Sequence, residues 1–274
     1  MIDKYRYSKL HHGRNLFLIA SNPSHKAFRD AIRNSWGFVC KHLEWCSYVF
    51  IVGCTFDEVI ENQIKEEHLK YNDILKESFV DTYNNLTLKS IFALKHFVTQ
   101  RVRLRYLLKV DDDSYVNILG LHKMLKENIQ VSSNKRSIYG YLQRGLKAHH
   151  WLPKVHRPTM ETIDDEKIYK WIVPRYLYRK RLFPQFIAGA GYLVERQNAE
   201  CLFSASQTVS IIHLEDVYIT GLCALKCNLK RIHHAGFKAR KDATTQLLIS
   251  PFDVLIHYAN ESTMKYLHDL VVRF

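Results

Sequence analysis

The feature that most constrains this sequence is an apolar run that ends in three consecutive aspartates. Tyr106–Val110, interrupted only by Lys109, has the composition of a buried strand, and Asp111–Asp113 follow at once. Adjacent carboxylates repel one another, so leaving them unneutralised at a strand end is costly. A hard divalent cation such as Mg²⁺ or Mn²⁺ relieves the repulsion by binding carboxylate oxygens. A solvated acidic turn is the alternative interpretation of this segment.

Other apolar segments predict the sheet to which this strand belongs. Residues 15–20 form a short apolar run closed by a turn signature at 21–23, and residues 48–53 form a second run. Between them, residues 24–36 have apolar side chains at helical spacing. Strand, helix and strand in succession favour a parallel sheet, and ligands of such sheets bind at the carboxyl ends of the strands. The aspartate run falls at such an end.

Two later segments contain residues that a plain strand or helix does not need. Gly189 and Gly191 lie within the apolar run 183–194, where they indicate a close approach to the backbone or a bulge. Glu215 and Asp216 lie in the otherwise apolar segment 211–221. A carboxylate with apolar neighbours needs a partner or a function, and its pKa is free to rise toward that of a working base.

Four cationic or imidazole side chains are candidate ligand contacts, each with a structural alternative. Arg29 and Arg33 lie one helical turn apart and could hold a diphosphate or a base edge, or could form a solvated helix face. Lys89 could reach an anion at a helix N-terminus or be solvated. His257 ends a strand, where an imidazole is either structural or a ligand.

Composition limits the partner and the compartment. A formal net charge of +13 over 274 residues implies an anionic partner: nucleic acid, a membrane surface, a nucleotide-sugar or a sulfated glycan. The aromatic and basic stretch 143–183 suits sugar stacking, nucleic-acid contact or a loop packed on the core. No apolar run reaches the length of a membrane span, and the first residues lack a signal-peptide core. Six cysteines fit either disulfides of a secretory compartment or buried thiols.

Six blocks, taken in order along residues 14–265, resemble the β-1,3-glycosyltransferases of the galactosyltransferase family (glycosyltransferase family 31). The blocks are Arg29–Trp36, Phe50–Gly53, Asp81–Lys89, Lys109–Asp113, Gly189–Tyr192 and Glu215–Tyr218.

The resemblance implies a GT-A fold, an α/β domain with a Rossmann-like, mostly parallel central sheet flanked by helices. Residues 1–13 would be a stem remnant and 14–274 the single catalytic domain. Its members transfer a hexose, here galactose or N-acetylglucosamine, from a UDP-sugar with inversion to a β-1,3 linkage. The implied cofactor is Mn²⁺ or Mg²⁺, and the implied acceptor is a glycan on a glycoprotein or glycolipid. The implied location is the Golgi lumen, as a type II membrane protein whose anchor is absent from this chain.

The resemblance also implies roles for individual residues. Asp216 matches the general base, and Asp113 and His257 match the metal ligands. Asp111 and Asp112 would contact ribose or metal-bound water. The remaining UDP-sugar contacts would come from Arg29, Arg33, Asp81, Lys89, Gly189 and Gly191.

Two departures from the family pattern carry expectations of their own. Residues 218–220 include one residue more than many relatives have, so the helix after Asp216 is expected to start differently. Cys223 matches a family cysteine, but the chain has no cysteine near position 245 to pair with it.

A second class of function is a basic, catalytically inactive module that binds a glycan or another polyanion. Such binding would fall steeply with salt and need no metal. No helix-turn-helix, zinc-finger or RNA-recognition signature is present, so nucleic acid is not expected as a partner. A metal phosphohydrolase would need further ligand clusters for a second metal, and the sequence does not show them.

Overall fold

A computed structural model describes residues 15–43, 45–100, 104–126, 136–150, 170–239 and 249–272. Its strands, in chain order, are β1 (Asn15–Ala20), β2 (Cys46–Cys54), β3 (Ile74–Val80), β4 (Tyr106–Asp111), β5 (Ser114–Val116), β6 (Ser137–Gln143), β7 (Phe186–Glu195), β8 (Lys230–His233), β9 (Phe237–Lys238) and β10 (Leu255–His257).

The helices lie between these strands. They are α1 (Lys26–Arg33), α2 (Trp36–His42), α3 (Glu58–Tyr71), α4 (Leu86–Thr99), α5 (Ile118–Met124), α6 (Arg196–Ser206), a π-helix (Val217–Cys223) continued by α7 (Ala224–Lys226), and α8 (Glu261–Val272). A 3-10 turn, Tyr83–Asn85, precedes α4. Among the described helices, none is both long and apolar enough to cross a membrane.

Seven strands form a mixed, mostly parallel sheet in the order β3-β2-β1-β4-β7-β6-β8. Strand β7 is antiparallel to both β4 and β6, and the other neighbouring pairs are parallel. A small second sheet has the order β5-β10-β9. The predicted fold class, a mostly parallel α/β sheet flanked by helices, is confirmed.

The central strand β1 shows why both faces of the sheet must be covered. Leu16 and Leu18 belong to one hydrophobic core, and Phe17 and Ile19 belong to the other. Alternate side chains point to opposite faces, so a strand that is apolar throughout needs helices on both sides. Helices α4 and α6 and the π-helix cover the first face, and α1, α2, α3, α5 and α8 cover the second.

Two expectations about local structure are refined. The single helix predicted for residues 24–36 is two helices, because α1 ends at Arg33 and α2 begins at Trp36. The helix after Asp216 begins as a π-helix, whose wider turn accommodates one extra residue. This irregular start agrees with the additional residue in segment 218–220.

Four of the six cysteines are paired. Cys40 bonds to Cys46 and Cys201 bonds to Cys227, whereas Cys54 and Cys223 are free thiols. The chain therefore contains both disulfides and free thiols, the two alternatives that the sequence left open. Disulfides of this kind persist in oxidising compartments. The predicted boundary between residues 13 and 14 stays a prediction, because residues 1–14 lie outside the described part.

Candidate active site

The aspartate run lies at the carboxyl edge of the main sheet, where it connects the two sheets. Asp111 is the last residue of β4, and Ser114 begins β5. Strand β10 pairs antiparallel with β5 so that His257 lies opposite Ser114. This register brings His257 Nε2 to 3.2 Å from Asp113 Oδ1, although the two residues are far apart in the sequence.

Asp111, Asp113 and His257 form a potential metal site. One ligand atom from each lies within 4.8 Å of the other two. Two carboxylates and an imidazole are ligands that Mn²⁺ and related divalent ions accept. Burial disfavours the imidazolium, but the hydrogen bond to Asp113 prevails and raises the pKa of His257. The chemistry of this donor set therefore fits the divalent cation that the family implies, and it adds Asp111 to the two ligands predicted from the sequence.

Asp216 immediately precedes the π-helix and is half-buried. Its Oδ1 accepts a hydrogen bond from the backbone N–H of Val217 at 2.8 Å, and the backbone of Gly189 donates to the same carboxyl. Burial and the neighbouring Glu215 carboxylate raise the pKa of Asp216 to about 7, against the opposing effects of these donors and of Lys109. A carboxyl that titrates near neutrality is suited to general-base catalysis.

Lys109 connects the metal cluster to the segment that contains Asp216. Its Nζ donates to Asp111 Oδ1 at 2.6 Å and to the carbonyl of Gly189 at 2.7 Å, and it lies 3.8 Å from Glu215 Oε2. Glu215 in turn accepts a hydrogen bond from Tyr192 Oη at 3.0 Å. Sequence reasoning missed this role. The available signal was a lone lysine inside an apolar strand, because a buried ammonium needs carboxylate partners.

These groups share one cavity of about 700 Å³. Asp111 and His257 lie in its wall together with Glu215 and Asp216, so two of the three potential metal ligands face the same space as the carboxyl whose pKa is raised. A cavity of this size can hold a ligand of several rings. Gln143, Leu146 and Trp171, from the aromatic and basic stretch 143–183, also line the cavity. Further lining residues that the sequence did not single out for chemistry are Tyr83, His213 and Tyr258.

The two predicted glycine contacts differ in position. Gly189 lines the cavity, and a Cβ there would lie 3.5 Å from the Cβ of Asp216 and 3.3 Å from Glu215 Oε2. Gly191 instead contacts β10, since a Cβ there would meet Leu255 Cδ1 at 2.4 Å. Gly191 therefore allows close packing of the strand that ends in His257. This geometry does not place Gly191 in contact with the UDP-sugar.

The structure contradicts the expected contact of Arg29 with a diphosphate. It is 1% exposed, and its N–H groups donate to Glu67, to the Ser21 hydroxyl and to the carbonyls of Asn22 and Pro23. All five guanidinium donors are thus used within the protein. Neither of the two alternatives, a ligand contact or a solvated helix face, describes this residue.

Arg33, like Arg29, pairs with groups inside the protein instead of facing a diphosphate. Its Nε and Nη2 donate to the two oxygens of Asp73 at 2.9 and 2.8 Å, and its Nη1 contacts Asp30 and Glu67. Its guanidinium carbon also lies 4.0 Å from the centroid of the Tyr71 ring. These contacts bind α1 to α3 and use four of the five guanidinium N–H groups within the protein.

Asp81 and Lys89 pair with each other rather than with open space. Lys89 Nζ donates to both Asp81 oxygens at 2.9 and 2.8 Å and to the carbonyl of Ser21 at 2.7 Å, and Asp81 also accepts from the Gly53 N–H. Both side chains are at most 4% exposed. Together they join the carboxyl ends of β1, β2 and β3, so their role in the structure is to hold the edge on which the site is built.

Asp112 faces away from its two neighbours. Its Oδ2 lies 3.0 Å from His25 Nδ1, and it does not belong to the metal cluster. The expected contact of Asp112 with ribose or metal-bound water stays a prediction.

Known proteins resemble the chain over most of its length. Human beta-1,3-galactosyltransferase 1 is 31% identical over 231 residues, which cover 82% of this chain and 65% of that protein. Mouse beta-1,3-galactosyltransferase 2 is 32% identical over 216 residues, covering 77% of this chain and 47% of that protein. The chain thus spans less than two thirds of the length of these relatives.

A solved glycosyltransferase involved in glycosylation of the major capsid of PBCV-1 covers 93% of this chain and 98% of its own. Its TM-score of 0.48 and identity of 9% are too low to carry an argument. The galactosyltransferase family model, by contrast, matches residues 27–235, and the chain therefore belongs to the galactosyltransferase family.

Proposed function

We propose that the chain is a metal-dependent, inverting hexosyltransferase that moves a sugar from a UDP-sugar to a glycan hydroxyl in β-1,3 linkage. The observation that carries the proposal is that Asp216, with its pKa near 7, lines the same cavity as Asp111 and His257, which form a potential metal site with Asp113. The names of the relatives favour galactose as the transferred sugar over N-acetylglucosamine.

Asp216 would act as the general base. Inversion requires the acceptor hydroxyl to attack from the ring face opposite the departing UDP, and a carboxylate on that side takes the hydroxyl proton. Asp216 has the two properties that this step needs, since it is accessible from the cavity and its basicity is raised by burial and by Glu215. The N–H groups of Val217 and Gly189 would hold the carboxylate in one orientation.

Asp111, Asp113 and His257 would hold the divalent cation. When bound, that ion supplies Lewis-acid stabilisation of the charge on the departing diphosphate. Lys109 would hold Asp111 and the Gly189 carbonyl at fixed positions, so that the donor side and the base side of the cavity keep their spacing. Asp81 and Lys89 would act at a distance, by fixing the edge of the sheet.

Lumenal Golgi location with an N-terminal anchor outside this chain is part of the same proposal. Two observations support it: the relatives are beta-1,3-galactosyltransferases, and the chain contains two disulfides.

A donor screen tests the proposal. The chain is incubated with Mn²⁺ and each UDP-sugar in turn, and UDP release is measured with and without simple β-glycosides. We expect release that depends on the metal, increases with an acceptor and is greatest with UDP-galactose. Chelation of the metal should abolish it, and the Asp216→Asn variant serves as the control for release that does not need the base. If no donor gives UDP, the alternative of a catalytically inactive glycan-binding module takes the place of this proposal.

A further inference from the structure

Seven exposed cations lie on two segments that pack against each other beside the cavity. The segments, 143–150 and 170–183, are joined by bridges from Lys147 to Leu182 and from His149 to Ile172. Backbone hydrogen bonds from Ala148 to Arg181 and from Phe183 to Leu146 continue this pairing. We call the following exposed side chains the cationic rim: Arg144, Lys147, Lys170, Arg175, Arg179, Lys180 and Arg181.

No carboxylate of the described residues neutralises the charge of the cationic rim. Described residues 136–150 and 170–194 contain no aspartate or glutamate. None of the seven rim side chains forms an ion pair with a carboxylate of the described residues, whereas Arg29, Arg33, Lys89 and Lys109 all do. Exposed cations on two paired segments, without a carboxylate partner among the described residues, create a positive potential that attracts anions over about a Debye length, ~10 Å at 0.1 M salt.

The cationic rim leads into the cavity. Leu146 lies between Arg144 and Lys147 in the sequence and lines the cavity, as does Trp171 next to Lys170. The ammonium of Lys170 lies 5.4 Å from the ring centroid of Tyr83, which is another lining residue. The same wall therefore offers an aromatic face for a sugar ring and cations for charged substituents.

We propose that the cationic rim receives the acceptor, and that the acceptor is an anionic glycan carrying sulfate or carboxylate groups. The proposal rests on the proposed function, because it assigns a substrate class to the same site. A glycan fits the arrangement better than a membrane does. The glycan chain can lie along the cationic rim while one of its sugars enters the cavity beside Asp216. A lipid surface could contact the cationic rim but would not fill the cavity that adjoins it.

A binding experiment tests this without requiring catalysis. The probe is a heparin octasaccharide, compared with its desulfated, N-acetylated form of equal length. The rim variant is Arg144→Gln/Lys147→Gln/Lys170→Gln. The matched control, Lys95→Gln/Lys126→Gln/Lys265→Gln, removes the same charge from exposed positions on α4, after α5 and on α8. Thermal unfolding of all three proteins provides the check on folding.

We expect the wild-type chain to bind the octasaccharide with an affinity that falls steeply with salt, as for other linear polyanions. The desulfated form should bind more weakly. The rim variant should lose about ten-fold in affinity, and the control variant less than about two-fold, because isolated surface charges each contribute little. Binding should also change tryptophan fluorescence, and the change should be lost in Trp171→Phe.

Several results would overturn the proposal. An equal loss in the control variant would mean that only net charge matters. Displacement of the octasaccharide by UDP with Mn²⁺ would assign the cationic rim to the donor. Rim-dependent binding to phosphatidylserine vesicles, without binding to the octasaccharide, would indicate a membrane surface instead. No binding at all would reject the inference even if the donor screen succeeds, and rim-dependent binding would stand even if that screen fails, so the two proposals fail separately.

Discussion

Two regions of the molecule bury charge, and they do so in opposite ways. In the arginine network (Arg29, Arg33, Glu67 and Asp73), two guanidiniums meet two carboxylates at 2.7–2.9 Å. In the acidic pocket (Asp111, Glu215 and Asp216 around Lys109), one ammonium faces three carboxylates that line a cavity. In the arginine network, the positive and negative charges balance each other. In the acidic pocket, the excess negative charge favours binding of a cation and raises the pKa of the Asp216 carboxyl.

The two regions also respond to pH with opposite signs. Burial opposes ionisation of Glu67, but the hydrogen bonds and charges of Arg29 and Arg33 overcome it and lower the pKa of Glu67. Its contribution to stability is therefore present above the unfolded pKa and is lost as the pH falls through the lowered folded pKa. The pKa of Asp216 is raised, from 3.8 to about 7. The unfolded chain ionises this group first, so its effect on stability becomes unfavourable as the pH rises between those values.

Asp216→Asn is expected to give the largest effect, because it removes the proposed base from the acidic pocket and leaves the arginine network intact. The variant loses the base, so kcat should fall by about 10²–10⁴-fold, the range typical of general-base catalysis. UDP binding in the presence of Mn²⁺ should be unchanged in calorimetry, because no metal ligand is altered. Above pH ~7 its thermal midpoint should equal or exceed that of the wild type, since an unfavourable buried charge has been removed. Near-normal turnover would show that another group is the base.

Glu67→Gln is expected to break the arginine network without touching the acidic pocket. Removing the Glu67 carboxylate leaves the buried Arg29 with uncompensated charge, whereas Arg33 keeps Asp73 and Asp30, and the loss costs about 3–5 kcal/mol in the free energy of unfolding. Urea denaturation measures this loss. Transfer per folded molecule should be preserved. The neighbour on the same helix, Glu66→Gln, makes the same change at an exposed position and should shift stability by less than about 0.5 kcal/mol.

Asp113→Asn should weaken Mn²⁺ binding, and with it metal-dependent UDP binding, by at least the roughly 10–100-fold that loss of an outer-shell partner of a metal ligand costs, because Asp113 would be a ligand itself. Calorimetry with and without Mn²⁺ gives the affinity. The matched variant is Asp112→Asn, which removes the same charge from the adjacent residue that pairs with His25. A smaller effect on the metal is expected there. If both variants weakened the metal equally, the charge of the run and not the ligand geometry would control binding.

The smallest expected effect is a pH dependence of kcat/KM that distinguishes Asp216 from ordinary carboxyls. Because the base must be ionised and its pKa is about 7, activity should fall about ten-fold per pH unit below neutrality and level off above it. The described groups that face Asp216 include Glu215, Lys109, the Tyr83 side chain and the N–H groups of Val217 and Gly189. Initial rates at low acceptor concentration give the profile. A constant kcat/KM down to pH ~5 would mean that the base is not a carboxyl with a raised pKa.

The comparison also explains which candidate site residues the sequence could indicate. Asp111, Asp113 and Asp216 were recognisable because acids that interrupt apolar segments need a chemical reason, and the structure brings all three to one edge. Arg29 and Arg33 were not correctly interpreted. Their spacing on one face of α1 is compatible with a phosphate site and with an internal salt bridge, and spacing alone does not reveal that Glu67 and Asp73 lie opposite.

By itself, the sequence determined the α/β class, the positions of most strands along the chain and the acids that interrupt apolar segments, because apolar periodicity and isolated charges are local properties of the chain. Tertiary structure alone decided which charges balance one another. Pairing of β10 with β5 placed His257 beside Asp113, the position of Lys109 joined Asp111 to the Gly189 segment, and the packing of α3 gave Arg29 and Arg33 their carboxylates. Each of these contacts joins residues distant in the sequence, and the electrostatic character of a buried group depends on its neighbours in space.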